Sequence, residues 1–587
     1  MNWFIWALLS ALFAGITAIL ANRRQMTKAR KHAFVRICCV VAGIMAVMSA
    51  PHAHAQFTGF TNHGLVAVGR LSGESFDALG PNIDTQGGIF SGIAFDPTSW
   101  SHSGDASSGF IYHGTLYCVP DRGYGAGALG GTLDYKPRVH TLNVAITPYY
   151  GSAATNQTQI NLTNTQTALL TYGADTPFTG FSGNDTTVTT HPKSADDSAG
   201  QGHRSLDPEA VVRARDGGFF VGDEYGPFIY RFDSNAVLQL TLTPPEAWIP
   251  KVGPAFGLRS NNFTAVTGPD SGRKNNRGIE GIAITADEKR LIAVLQSPLV
   301  QDGGEDNGSR CTRLLVYDID SSSPTANQAI SEFVYELTLN GNPSHTRQTI
   351  ISEILALNEH QLLVLERDQR GRNSGSTGAI VYKQVVLAGL DGATNVLNSG
   401  YDLEFGAPGQ TSFPLNGLPA SIRPVTRQDF VDLLDSTQLS KFGLNLNAAL
   451  PDTNTMVEKW EGMAVMPLND PLSPHDYLLL VGCDNDFGAT KVYHNGEIVG
   501  SNPEVTDNML LAYRVTLPNY ILPALPSLTI QPTGNALQIS WPEVFSGFVL
   551  QSSITLAPGS WTNCPATGNS VTVGITNAVR FFRLILP

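Results

Sequence analysis

The sequence predicts an all-β protein: a β-propeller followed by a small C-terminal β-sandwich-like module. One β-hairpin sequence motif occurs five times along the chain, with small or acidic residues before its first strand and usually acids after its second strand. Repetition of one hairpin at long intervals is typical of radial β architectures. The 58 glycines, 35 prolines and scarcity of helical periodicity also favour strands and turns. We expect six blades, with seven or five as alternatives, because residues 57–75, 401–457 and the strand at 508–516 could assemble a sixth.

Residues 1–55 are expected to be a leader. From Met26 they show a basic start, an apolar core at 37–50 and an Ala-His-Ala site at 53–55, the order of a secretory signal peptide. We therefore expect Met26 to be the true start, with cleavage after Ala55. The alternative is a membrane anchor at 1–21, which is long enough to span a bilayer. The mature protein would be secreted, periplasmic or on the cell surface, with no stable membrane span.

The mature chain is strongly acidic. Removing the leader takes away six Lys/Arg and no acids, so the formal net charge falls from −13 to −19. Such a charge argues against nucleic acid as a partner and in favour of cations. A small anionic substrate would need a metal ion or local arginines to offset the field. Four cysteines remain, at 118, 311, 483 and 564, and their wide spacing leaves both disulfides and free thiols open.

The propeller is expected over residues 56–517, and its hairpins place acids at one end of every blade. Glu209 and Asp223 are 14 residues apart, and Glu353 and Glu366 are 13 apart, which fits two short strands and a tight turn. An antiparallel hairpin returns the chain to the edge where it began. The second strands are apolar without alternation, so both of their faces should be buried between blades.

The rest of the mature chain is assigned by composition. Residues 147–204 and 401–457 look like surface insertions, the second containing a helix capped at Thr426–Asp429. A proline-spaced linker follows at 518–527 and a separate small β module at 528–587. The module is similar to C-terminal modules of exported bacterial proteins, which suggests attachment to the cell surface or binding of a carbohydrate.

The acids at the strand ends are the candidate functional residues. Glu209, Glu280 and Glu461 open strands. The acids that close strands are Asp223, Glu224, Glu366, Asp368, Asp484 and Asp486. Singly, such acids often bond backbone amides or pair with neighbouring arginines. Together at one rim they predict a hard-cation site, since Ca²⁺ takes six to eight oxygen ligands and unpaired clustered acids destabilise a fold.

Five phrases resemble the phytase-like domain family described as "esterase-like activity of phytase". They are Asp207-Pro-Glu-Ala-Val, Gly222-Asp-Glu-Tyr-Gly226, Arg277-Gly-Ile-Glu-Gly-Ile-Ala283, Leu363-Val-Leu-Glu-Arg-Asp368 and Trp460-Glu-Gly-Met-Ala464. The resemblance covers residues 80–515. It implies a secreted bacterial β-propeller hydrolase acting on phosphate esters or phosphodiesters. The first copy opens with Ser91 and the third closes with Gln296, so these two copies are expected to contribute less.

These observations together predict a metal-dependent phosphoric ester hydrolase. The expected calcium ligands are Glu209, Asp223, Glu224, Glu280 and Glu461. Arg122 and Arg367 would clamp the phosphoryl group, because a guanidinium matches it bidentately. Glu366 or Asp368 would deprotonate the attacking water. The alternatives are a lactonase or carboxyl-ester hydrolase on the same scaffold, and a non-catalytic extracellular propeller that binds a ligand and holds structural calcium.

Overall fold

Five four-stranded antiparallel sheets make up most of the structure, a computed structural model. It describes residues 57–585, except 106–108, 126–132, 174, 182–203, 253–257, 260–268, 305–307, 340–348, 416, 471, 524–527, 542–547, 558 and 576–578. The expected leader and its cleavage site lie outside the described residues. The chain divides into Met1–Thr58 and Gly59–Pro587, and the sheets belong to the second unit.

The first blade contains β2 (Gly92–Asp105), β3 (Gly109–Val119), β4 (Arg138–Ile146) and β5 (Ile160–Leu169), and β1 (Thr61–Leu71) precedes it. The second contains β6 (Pro208–Arg213), β7 (Phe219–Asp223), β8 (Ile229–Phe232) and β9 (Leu238–Leu242). A short hairpin follows, β10 (Lys251–Val252) with β11 (Leu258–Arg259). The third blade contains β12 (Ile279–Ile284), β13 (Arg290–Leu295), β14 (Cys311–Asp318) and β15 (Gln328–Glu336), with a 3₁₀ turn at Val300–Asp302.

The fourth blade contains β16 (Ile350–Ala356), β17 (Gln361–Arg367), β18 (Lys383–Gly389) and β19 (Thr426–Asp432), and helix α1 (Ser436–Lys441) follows. The fifth contains β20 (Trp460–Pro467), β21 (Asp476–Cys483) and β24 (Asn508–Thr516), with the hairpin β22 (Val492–His494) and β23 (Glu497–Gly500) inserted. Its fourth strand is β1, which pairs antiparallel with β24 from Thr61↔Thr516 to Leu71↔Asn508. Strands from both ends of the propeller therefore complete one blade.

The first strands of the five blades form a closed ring. β2 packs against β6, β6 against β12, β12 against β16, β16 against β20, and β20 against β2. The β-propeller prediction is confirmed. Among the described residues the blades number five, the alternative to the expected six, because β1 and β24 belong to the fifth blade and β19 to the fourth.

Apolar layers fill the spaces between blades. One layer, for example, joins Phe220 and Ile229 of the second blade to Leu291, Ala293 and Leu315 of the third. The second strands of the blades are buried along their length, as their continuous apolar runs predict. Blades one and five meet closely at Gly69↔Ile160, where a Cβ on Gly69 would lie 2.4 Å from the carbonyl oxygen of Ile160.

The expected helix beginning at Thr426 is wrong. Residues Thr426–Asp432 form β19, which pairs with β18 as the outer strand of blade four. The open edge of β18 offers backbone hydrogen bonds that outweigh the local capping signal. The helix is the short α1, whose N-cap Asp435 accepts hydrogen bonds from the amides of Thr437 and Gln438. Likewise, β5 lies within the segment expected to be an insertion at 147–204.

The C-terminal module consists of two three-stranded sheets. One contains β25 (Thr529–Thr533), β26 (Ala536–Ser540) and β29 (Ser570–Gly574); the other contains β27 (Val549–Ser553), β28 (Thr562–Asn563) and β30 (Phe581–Ile585). They enclose a small core that includes Trp541, Phe548 and Leu550. This is the expected sandwich-like arrangement, and its binding role stays a prediction.

Two features bear on the mature protein as a whole. Cys118, Cys311, Cys483 and Cys564 are free thiols, the first three buried, so no disulfide joins the described residues. No helix in the described part of the chain is long and apolar enough to span a bilayer.

Candidate functional site

Bulges at the start of the inner strands direct polar side chains to one end of the propeller. In blade two, Pro208 pairs with Asp223 and Ala210 with Gly222, so Glu209 is the extra residue between two rungs. The same irregularity occurs at Glu280, at Ser352, and at Glu461 with Gly462. A bulge re-aims the extra side chain. We call this end of the ring the mouth.

The register also shows which residues of the second strands belong to the mouth. The residue that follows the last paired rung is Glu224 in blade two, Gln296 in blade three and Asp484 in blade five. In blade four the rung before the bulge is Ile351↔Glu366, so the equivalent residue is Arg367, which here forms one more rung with Ile350. Side chains alternate along a strand, so Asp223 and Glu366 point to the other face.

The first carboxylate cluster comprises Asp207, Glu209 and Glu224. All three are buried, and one oxygen of each lies within 4.8 Å of the others. Arg122 adjoins them, with Nη1 2.6 Å from Asp207 Oδ2 and 3.5 Å from Glu224 Oε2. Arg122 also donates to the side chain of Asn276. Three buried carboxylates therefore crowd around the Arg122 guanidinium, and Arg273 and Arg277 also act on Glu224 electrostatically.

Glu280 and Glu461 extend the cluster around the ring. The Gln296 amide donates to Glu280 Oε1, so this carboxylate has a neutral partner. Glu461 Oε1 accepts from Arg367 Nη2 at 2.8 Å, and Arg367 Nε donates to Ser352 Oγ at 2.8 Å. The Oε2 atoms of Glu280, Glu461 and Glu224 are buried and have no hydrogen-bond partner among the described residues.

A second acidic cluster, Asp121, Asp484 and Asp486, lies on the blade-five side of the mouth. Lys459 neutralises part of its charge, with Nζ 3.0 Å from Asp484 Oδ2 and 2.5 Å from Asp486 Oδ1. Asp486 and Phe487 have φ values of 49° and 53°, two consecutive left-handed residues that turn the loop over the mouth edge. The Lys459 ammonium group thus supplies positive charge that this acidic cluster would otherwise need from a bound ion.

Burial, with repulsion from neighbouring acids, raises the pKa values of six acids at the mouth. Burial, followed by repulsion from Glu280 and Asp207, raises the pKa of Glu209 well above its usual range. Burial also raises the pKa of Glu280, with Glu224 and Glu461 adding to the effect. The pKa is raised by burial to about 7 for each of Glu224, Glu461, Asp121 and Asp484. Such groups favour either protonation or a cation at neutral pH.

Three predicted site residues have structural partners instead. Asp223 accepts from the amides of Asp207, Tyr225 and Gly226, so its carboxylate holds the turn after β7. These bonds leave it poorly placed as a metal ligand.

Glu366 is fully buried. It accepts from Tyr335 at 2.9 Å, from Arg427 at 2.7 Å, from the amide of Thr338, and from the Thr349 hydroxyl.

Asp368 is also fully buried, and it accepts from Lys383 at 3.0 Å and from the amides of Val381 and Tyr382. These bonds occupy both carboxylates and do not favour Glu366 or Asp368 as the group that activates water, a role that stays a prediction. The predicted residues that the mouth does bring together are Arg122, Glu209, Glu224, Glu280, Arg367 and Glu461.

Sequence reasoning missed four contributors: Asp207, Asp121, Lys459 and Ser352. Asp207 lies two residues before Glu209 and Lys459 two before Glu461, so proximity to the opening glutamates was an available signal. Ser352 was hidden because Glu353 looks like the opening acid of blade four. The bulge at Ser352 instead places Glu353 one position further along the strand.

Below the mouth the central channel is apolar. Its wall includes Ile93, Val211, Ile282 and Met463, and the channel encloses about 110 Å³. Glu353 is an acid within this wall, and burial raises its pKa well above the usual range. Residues 520, 521 and 523, from the expected linker, line the far end of the channel. The channel wall is therefore mainly apolar, with Glu353 and Arg213 as its charged members.

The donor set fits a divalent cation. Hard cations such as Ca²⁺ bind carboxylate oxygens. Asp207, Glu209 and Glu224 offer a set within reach of one ion, and Glu224 Oε2 has no hydrogen-bond partner among the described residues. A bound cation would offset the burial and repulsion that raise the pKa values of Glu209 and Glu224.

Sequence comparison shows which protein family and which relative this chain is similar to. The model of the phytase-like family, described as "Esterase-like activity of phytase", matches residues 86–487. An uncharacterized secreted protein from Arthroderma benhamiae is 31% identical over 461 residues, covering 72% of this chain and 87% of the relative. That relative is fungal, so the expected bacterial origin stays a prediction.

Among solved structures, the β-propeller domain of Myceliophteria thermophila Cps50 (Swd1) matches with 9% identity and a TM-score of 0.19, covering 63% of this chain and 70% of that one. A luciferin-regenerating enzyme matches with 11% identity and a TM-score of 0.23, covering 77% and 95%. The WD40 domain of Toxoplasma gondii coronin matches with 7% identity and a TM-score of 0.22, covering 80% and 93%. Similarity this low carries no functional argument.

Proposed function

The chain belongs to the phytase-like family, and we propose that it is an exported, metal-dependent hydrolase of phosphate monoesters or diesters that acts at the propeller mouth. The observation that carries the proposal is a set of buried carboxylates, three of which have an Oε2 without a hydrogen-bond partner among the described residues, beside the guanidinium groups of Arg122 and Arg367. Carboxylates with unpaired oxygens suit a cation, and the arginines suit phosphate oxygens. Export is supported by the secreted relative and by the leader-like N-terminal sequence.

The proposed cation site comprises Asp207, Glu209 and Glu224. Calcium bound there would neutralise the acidic mouth and attract the phosphate group to it. Asp223, an expected ligand, is left out because three backbone amides occupy its carboxylate. Glu280 and Glu461 adjoin the site and take the other roles described below.

Arg122 and Arg367 are the proposed phosphate ligands. Arg122 is 21% exposed, so it can reach a ligand without leaving Asp207. Arg367 is held in place by Ser352 and Glu461, and this support fixes the orientation of its guanidinium. A fixed guanidinium loses little entropy when it binds an oxyanion.

We assign the proton-accepting role to Glu280. Its only described side-chain partner is the neutral Gln296 amide, and its Oε2 has no hydrogen-bond partner among the described residues. Glu461 is instead paired with Arg367. A cation bound at the neighbouring site would lower the raised pKa of Glu280 and so keep its carboxylate ionised. A water placed between Glu280 and the phosphorus would then lose its proton to Oε2 as it attacks in line with the leaving oxygen.

The test uses the mature protein with phosphomonoesters, phosphodiesters, carboxyl esters and lactones, each with calcium and with chelator. We expect calcium-dependent hydrolysis of phosphate esters, and its loss in Glu280→Gln. Glu359→Gln, at an exposed turn between β16 and β17, is the matched control.

Two outcomes would overturn the proposal. Hydrolysis of only lactones or carboxyl esters would select that alternative. No turnover of any substrate, combined with calcium-dependent stability, would select the ligand-binding role. Full activity of Glu280→Gln would remove Glu280 as the proton acceptor.

A further inference from the structure

A polar cleft of about 460 Å³ adjoins the mouth. It lies between the 371–377 loop of blade four and the 485–488 and 502–506 loops of blade five. Asp486 belongs to both places, because it lines the cleft and its carboxylate contacts Lys459 at the mouth. A substrate whose phosphate lies at the mouth would therefore extend its other part into this cleft.

The cleft carries neutral hydrogen-bonding groups. Its polar, uncharged lining residues are Asn373, Ser376, Thr377, Asn485, Asn502 and Thr506. The amide groups of Asn373, Asn485 and Asn502 already donate to backbone carbonyl oxygens. The hydroxyls of Ser376 and Thr377 are therefore the lining groups best placed to donate to and accept from alcohol groups. No aromatic side chain is among the described residues that line the cleft, so it offers no stacking surface for a planar ring.

The cleft provides no unpaired cation. Arg372 is its one basic lining residue among those described, and Nη2 donates to Glu504 Oε2 at 3.0 Å and to the carbonyl oxygen of Val505 at 2.7 Å. The acids Asp486 and Glu504 also line it. Multiple phosphate groups need Arg or Lys partners, so a polyanion would be disfavoured in this cleft.

We propose that this cleft binds the leaving group of the substrate and selects a neutral polyol over an aryl or a polyphosphorylated alcohol. The inference rests on the proposed phosphate-ester hydrolase function and specifies its substrate class. The reaction it describes is transfer of the phosphoryl group to water, with the polyol oxygen leaving and taking up a proton.

The experiment compares kcat/KM for glycerol phosphate, phenyl phosphate and inositol hexakisphosphate in the calcium-loaded mature protein. The double variant Ser376→Ala/Thr377→Val removes two hydroxyls from the cleft without changing the mouth. It should lower kcat/KM for glycerol phosphate by about tenfold, the effect of roughly two hydrogen bonds, and change that for phenyl phosphate by less than about twofold.

A charge-reversal variant gives an independent readout. Glu504 is 60% exposed, so Glu504→Lys should fold normally. It removes the carboxylate partner of Arg372, which keeps its bond to the Val505 carbonyl oxygen, and it adds a positive charge. It should raise kcat/KM for inositol hexakisphosphate relative to glycerol phosphate by about tenfold. Glu359→Lys, which makes the same charge change at an exposed turn, should leave the ratio unchanged.

The failures of the two proposals are distinguishable. Hydrolysis of all three substrates with ratios unaffected by the cleft variants would overturn the polyol inference and leave the phosphate-ester function standing. A wild-type preference for inositol hexakisphosphate would do the same. Absence of hydrolysis of any phosphate ester would overturn both.

Discussion

Replacing Glu224 with Gln tests whether the mouth carboxylates need a cation. Glu224 is 1% exposed and its Oε2 has no hydrogen-bond partner among the described residues. Burial, followed by repulsion from Asp207, raises its pKa from 4.5 to about 7. The substitution keeps the shape of the side chain but removes its charge and its titration. Arg122 keeps Asp207 as a partner at 2.6 Å.

The expected effect on stability has a definite sign. An acid with a raised pKa binds its proton more tightly in the folded protein, so the free energy of unfolding falls as the pH rises from about 4.5 through about 7. A pKa difference of about 2.5 corresponds to about 3 kcal/mol. In the presence of chelator, the free energy of unfolding should fall between pH 4 and pH 8 in both proteins, and the fall should be about 3 kcal/mol smaller in Glu224→Gln than in the wild type.

Urea denaturation in chelator and in calcium measures both parts of this prediction. Calcium at about a hundredfold its Kd should add about 2.7 kcal/mol to the wild type at pH 8, and far less to Glu224→Gln. Glu359→Gln, exposed at a turn, should behave as the wild type does. An equal pH dependence in Glu224→Gln and wild type, with equal stabilisation by calcium, would refute the reasoning.

Three further variants address other parts of the structure. Arg367→Lys should lower kcat/KM for phosphate esters by about 10- to 100-fold while leaving the fold intact. The reason is that a lysine cannot contact both Glu461 and a phosphate in the same plane. Unchanged steady-state kinetics would remove Arg367 from the phosphate site. Glu366→Gln should lower the free energy of unfolding by about 3 kcal/mol in thermal or urea denaturation, because the Glu366 carboxylate accepts from four buried or half-buried donors. The pH profile of kcat should stay the same; an altered profile in a stable protein would restore Glu366 as the base. Gly69→Ala should cost about 1–3 kcal/mol, since its Cβ would lie 2.4 Å from the Ile160 carbonyl oxygen; a wild-type melting temperature would show that blades one and five can separate there at no cost.

The sequence predicted the propeller because its inner hairpins repeat a strong apolar pattern. It did not reveal the outer strands. β5 and β19 are polar and largely half-buried or exposed, because the outer strand of a blade has an edge in solvent. Their segments therefore looked like insertions, and the blade count was uncertain for the same reason.

The sequence indicated which blades contribute acids to the site, but it did not indicate which individual residue of each blade faces the mouth. Two hairpin ends offered neighbouring charged residues, Asp223 with Glu224 in blade two and Glu366 with Arg367 in blade four. In these two blades one member of the pair faces the mouth, and which one depends on a bulge of one residue in the facing strand. The position of that bulge cannot be read from sequence spacing alone, because it is defined by which residues of the two strands pair.

The pairing of β1 with β24 has a consequence for the order in which the protein folds. Thr61 cannot meet Thr516 until the chain between them has been delivered to the same compartment, so the fifth blade closes after the four others can form. Loop closure over such a separation is slow, and until then β1 and the edge of β24 are open to pairing with other chains. The time between emergence of the two strands is therefore the period in which misassembly competes with ring closure.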